Sequence, residues 1–184
     1  MLHLTLFYQG QLRAQQGRCG VTEHKHELRT AFHYQLSEFW RKHPPLKAFE
    51  NPVVASPNFV VKNVGPFRFK PLVSSEYAAV ADINLFMLRA GATGEILKGG
   101  DIDNRLKTLF DALSIPSQDN QLPSQAPGDD QVPFYCLLED DRLVSSVRVE
   151  TAPLLRKDIE PLDVVLFIQV TVKTTHVTRS NMWI

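Results

Sequence analysis

Two apolar stretches limit what this chain can become. Ala78 to Arg89 and Asp163 to Lys173 are dominated by valine, isoleucine, leucine, alanine and phenylalanine. Each is strand-sized and too short to cross a membrane as a helix. The first reads as a central strand, and the unbroken apolar run of the second predicts burial on both of its faces. Such strands need covering, and the sequence offers two helices for it. Thr22 suits the cap of a helix running to about His43 and stopped by Pro44-Pro45, with Leu28, Phe32, Leu36, Phe39 and Trp40 as its buried stripe. A second opens at Asp101, where Ile102, Leu106, Leu109, Phe110 and Leu113 recur at helical spacing.

Leu2–Tyr8, with Leu2, Leu4 and Leu6 alternating, adds a strand, and Asn58–Lys62, Gly65–Lys70 and Leu143–Glu150 add shorter ones. The order strand, helix, several strands, helix, strands predicts an α/β (α+β) fold: a mixed β-sheet with two main helices, in a single domain spanning 1–184. Residues 115–133 break the pattern, with four prolines, no lysine or arginine, and Asp119, Asp129 and Asp130. They predict an inserted loop, mobile or packed on itself, that shields a site or meets a partner. Two cysteines, Cys19 and Cys136, are too few for a disulfide framework or a zinc site. With no apparent cleavable signal or membrane span, they predict a cytoplasmic protein.

Formal charge sums to zero, which argues against a generic nucleic-acid binder, but its distribution is lopsided. Residues 1–100 carry 12 lysines and arginines against 7 acids, and residues 101–184 carry 8 against 13. The cations of the first helix, Lys25 and Arg29 among them, read either as a solvated face or as a row of phosphate contacts. Arg68 and Lys70, on one face of a short strand, and Lys98, beside Gly99-Gly100, are further candidates for nucleic-acid binding. His24 and His26 point about 200° apart on a helix and make a poor metal pair.

The chemistry concentrates at Gly99-Gly100-Asp101-Ile102-Asp103-Asn104-Arg105-Leu106-Lys107. Asp101 suits an N-cap, and Asp103 and Lys107, four apart, sit side by side at the edge of the apolar stripe. Taken alone, this reads as a capped core helix ahead of a metal site. A second acidic cluster, Glu139-Asp140-Asp141, follows the apolar run Phe134–Leu138 and shifts the balance. Carboxylates gathered in one cleft repel one another unless a cation sits among them.

Asp-Ile-Asp-Asn-Arg-Leu-Lys at 101–107, Phe110-Asp111-Ala112-Leu113, and Asp140-Asp141-Arg142-Leu143-Val144, in that order, resemble the RusA-type Holliday-junction endonuclease family. The resemblance covers residues 99–150 and implies a RusA-like sandwich acting as a homodimer on branched DNA, in recombination and repair. It implies a Mg²⁺-dependent endonuclease, with Mn²⁺ as substitute. Asp101, Asp103 and Asp141 then hold the metal, with Asp140 a further ligand or a partner to one. Lys107 faces the scissile phosphate, and Asn104 orders the turn or a carboxylate. The family's later lysine has Arg148 or Lys157 as its counterpart. Two other readings stay open: an inactive nucleic-acid-binding module of the same fold, and a protein-interaction domain.

Overall fold

The computed structural model describes residues 1–14, 21–47, 60–90, 101–178, 181–182 and 184. In chain order the elements are β1 (Leu2–Gln11), α1 (Val21–Lys42), α2 (Pro44–Lys47), β2 (Lys62–Val64), β3 (Phe67–Val73), β4 (Ala79–Arg89), α3 (Asp101–Leu113), β5 (Phe134–Leu138), β6 (Val144–Pro153) and β7 (Asp163–Thr174). They form two open mixed sheets, ordered β1-β7-β4-β6 and β2-β3-β5. β7 runs antiparallel to both β1 and β4, and β6 lies parallel to β4. With two main helices beside mixed sheets, the fold is α+β.

The helix phasing matches the sequence. Leu28, Phe32, Leu36 and Trp40, one per turn of α1, are buried. They share a core with Leu109 and Leu113 of α3, Ile83, Leu85 and Met87 of β4, and Leu166, Ile168 and Val170 of β7. Burying each large aliphatic side chain contributes roughly 1.5–3 kcal/mol. The central strands depart from expectation in one respect. β7 buries Val164, Leu166, Ile168, Val170 and Val172, whereas Phe167 between them is exposed. Both main helices join the core on the inner face, so the expected two-sided burial of β7 is corrected to one-sided burial.

The free edge of β1 is closed in mid-strand. Gln35 of α1 accepts from the Phe7 N–H at 2.8 Å and donates to the Phe7 carbonyl at 2.7 Å, as a neighbouring strand does. In the smaller sheet, Gly65 turns β2 into β3 at φ +52°, a left-handed conformation that suits glycine. β2 pairs only with Phe67–Phe69, so Pro71, lacking an N–H, is accommodated beyond its end. Of the expected strand 58–62, Asn58 and Phe59 lie outside the described residues.

Residues 115–133 are packed. Short 3₁₀ turns at Asp119–Gln121 and Asp129–Gln131 fold the segment, and Leu122 enters an aromatic cluster of Phe67, Phe69 and Phe134. α1 holds it by three polar contacts. Arg29 donates to the Gln121 carbonyl at 3.0 Å, Tyr34 to an Asp130 carboxylate oxygen at 3.0 Å, and His33 contacts the Asp130 carbonyl at 3.1 Å. His33 Nδ1 accepts the Tyr135 N–H at 2.8 Å, so its proton resides on Nε2 and the ring is neutral.

Burial holds the His33 imidazole below its ordinary value, and burial does the same for His24 and His26. The unfolded chain therefore takes up protons below about pH 6.5 that the folded chain refuses, and stability falls as the pH drops through that range. Urea denaturation at pH 7.5, 6 and 5 is expected to show a falling midpoint. His33→Gln is expected to show a smaller fall over the same range.

Candidate active site

α3 presents its chemistry on one side because the other is anchored. Leu109, Ala112 and Leu113 are buried, while Asp103 and Lys107 are exposed and Asp111 is half-buried. These three charged residues follow at intervals of four, each about 6 Å further along the helix axis. Asp101 opens the helix, but its side chain, like Lys98 and Gly99-Gly100, lies outside the described residues. The Asn104 carbonyl accepts from the Thr108 hydroxyl at 3.0 Å.

The second acidic cluster reaches α3 through the backbone. Ser114, just past the helix, bridges Leu138 at the end of β5, and the Ile115 N–H donates to the Leu138 carbonyl at 3.1 Å. That tie carries Asp140 and Asp141 to the flank of α3. Asp141 is exposed and borders an open hollow of about 470 Å³ with Lys107, Phe110, Asp111, Val144 and Val147. A smaller hollow of about 170 Å³ adjoins it, shared by Asp111, Asp140, Asp141, Lys25, Arg29 and Gln121.

The three consecutive acids have separate fates. Burial pushes the Glu139 carboxyl up, but hydrogen bonds from Lys62, Ser74 and Ser75 outweigh it and hold the group below its usual range. Asp140 caps the turn Asp141–Leu143, accepting from the Arg142 N–H at 3.0 Å and pairing with its guanidinium at 2.8 Å. Those hydrogen bonds bring Asp140 down to about 2. Both of its oxygens accept from Arg142, Oδ1 twice and Oδ2 once. Of the three, Asp141 is the one that borders the hollow lined by Lys107.

Among the described residues, no three of His, Cys, Asp and Glu come together to hold a metal. The donors on the Lys107 side are the carboxylates of Asp103 and Asp141.

The expected phosphate contacts divide. Lys25 borders the smaller hollow, its Nζ 2.5 Å from Asp111 Oδ2. Arg29 is only 3% exposed and donates to the Asp111 carbonyl at 3.1 Å as well as to Gln121. Burial lowers its guanidinium to about 10. Lys70 is buried 4.1 Å above the Trp40 ring. Arg29 and Lys70 are thus corrected to internal residues, for want of surface to meet a phosphate. Arg68, two residues earlier on the same strand, is exposed, so the two β3 cations differ in burial. Arg148 stands on the outer face of β6, bonded to Glu150 at 2.6 Å, away from α3. The pair Lys25–Asp111 joins α1 to α3 across 86 positions of the chain. Spacing within either helix does not show a contact of that range.

No protein-family model, curated protein or solved structure matches the chain.

The division of the cations has a measurable consequence. Arg29→Met strands two carbonyls, each costing roughly 1–3 kcal/mol when left unpaired, and is expected to lower unfolding free energy accordingly. Lys107→Met, at an exposed position, is expected to stay within about 0.5 kcal/mol of the parent. Guanidinium denaturation of both variants checks this.

Proposed function

We propose that the chain is a divalent-metal-dependent endonuclease that hydrolyses phosphodiester bonds in branched DNA, as its resemblance to the RusA-type resolvases implies. The observation carrying this reading is that Asp141, from the second acidic motif, borders the same hollow as Lys107, from the first. Short motifs that match by chance have no reason to converge in space.

In this reading Asp101, Asp103 and Asp141 supply the carboxylate oxygens that hold Mg²⁺ or Mn²⁺. The ion, when bound, supplies an activated water and offsets charge on the phosphate. Lys107, one helical turn beyond Asp103, places an ammonium against the phosphate oxygens, where negative charge grows during hydrolysis. The apolar side of α3 keeps that ammonium in register with the acids. Lys25, held by Asp111 at the neighbouring hollow, offers a cation to the adjoining backbone phosphate. Asp140 keeps the 141–143 turn folded and so aims Asp141. A homodimer provides two such sites for the two opposed strands of a junction.

The test is cleavage of a labelled four-way junction with Mg²⁺ or Mn²⁺, beside a linear duplex of the same sequence. Parent protein is expected to give paired nicks, and Asp103→Asn and Asp141→Asn to lose about 100-fold or more in rate while still binding. Binding is expected to weaken steeply with salt. A retarded but intact junction with every variant selects the inactive binding module. Absence of salt-sensitive binding selects the protein-interaction domain.

A further inference from the structure

The outer face of the four-stranded sheet carries an ordered relief. Phe7 pairs with Phe167, and Phe167 with Phe86, so three phenylalanines stand in one row across β1, β7 and β4. They are 43%, 39% and 39% exposed, and the rings of Phe7 and Phe167 lie 5.4 Å apart. Glu150 of β6 completes the row. Two residues along each strand, the next row is Thr5, Gln169, Asn84 and Arg148, again in register. This second row is a trough: hollows of about 400 Å³ and 420 Å³ open over Thr5, Asn84 and Gln169. A ridge of aromatic rings thus runs beside a trough floored by amides and a hydroxyl.

We infer that this face docks a second copy of the same chain, the phenylalanine ridge of each copy seated in the trough of the other. A two-fold axis in the plane of the interface, parallel to the rows and midway between them, exchanges the rows. It sets Phe7 over Thr5, Phe167 over Gln169 and Phe86 over Asn84 of the other copy. It also sets Glu150 over the opposite Arg148, so the end of each row gains an opposite charge. Every contact occurs twice, as a closed two-fold interface requires.

Charge and area both single out this occupant. The face's ionised pairs cancel internally, Arg148 with Glu150 and Lys173 with Asp82. A nucleic-acid strand calls for an excess of cations. Four strands about 4.8 Å apart and about ten residues long at ~3.3 Å each give a face of roughly 600 Å². Relief from the side chains brings its accessible area toward the about 800 Å² per partner of a stable interface. Phe167 and Phe86 on the central strands and the Arg148–Glu150 charges on the edge strand follow the usual distribution in such contacts. The inference gives a surface to the homodimer of the proposed reading, and its readout is independent of DNA cleavage.

Sedimentation velocity of the full chain tests it. The parent protein is expected to be a dimer at micromolar concentration. Phe167→Glu, checked for folding by circular dichroism and urea denaturation, is expected to be monomeric over the same range. Arg148→Glu is expected to weaken the dimer about tenfold, and the swap Arg148→Glu with Glu150→Arg to restore it. A monomeric parent protein overturns the inference and leaves the nuclease reading standing. A dimer unmoved by folded Phe167→Glu also overturns it, placing the contact on another face. A parent monomer whose single-stranded DNA binding is abolished by Phe167→Glu assigns the face to nucleic acid and overturns it too.

Discussion

The fold depends on what α1 does with its two sides at once. Its apolar stripe, Leu28 to Trp40, closes the core between the sheets. Its flank holds three polar anchors, Arg29, His33 and Tyr34, that fasten the 115–133 segment. A helix that only covered a sheet would leave that segment loose. Because the anchors reach backbone carbonyls as well as a carboxylate, they fix the path of the chain rather than one side chain. That path leads into Phe134 and β5, and the end of β5 delivers Asp141 to α3. The candidate site is thus assembled from one side of α1 through intervening backbone.

The same logic explains the charges around the site. Along α3 the exposed side alternates acid, base, acid at Asp103, Lys107 and Asp111. Lys25 neutralises the last of these across the interhelical gap, and Arg142 neutralises Asp140. Asp103 stays exposed one turn before Lys107 on α3, and Asp141 borders the hollow that Lys107 lines. Partnering of the flanking acids limits their mutual repulsion.

Much of this was legible in the residues. Helical spacing located α1 and α3, and apolar runs located β4 and β7, because periodicity reports which residues must leave water. The α+β class followed from their order. The face that each strand leaves open was not legible, since an apolar run such as Val164 to Ile168 reads the same whether one side or both are covered. Arg29 and Lys70 were misread for a related reason. A cation in sequence looks like surface, and only partners distant along the chain, the Gln121 carbonyl or the Trp40 ring, show that it is inside. Asp140 and Asp141 are likewise equivalent on paper, and the 3₁₀ turn separates them by giving one to Arg142.

Gln35 leaves the larger sheet with two unlike ends. At β1 its side-chain amide occupies both hydrogen-bonding groups of Phe7, so an incoming strand finds no vacancy there. The other margin is β6, whose exposed residues include Ser145, Ser146, Arg148 and Glu150. A molecule blocked at one rim and charged at the other cannot template its own copies edge to edge, since growth of that kind needs a receptive rim on both sides of every unit. The larger sheet is thereby guarded against runaway edge-to-edge polymerisation.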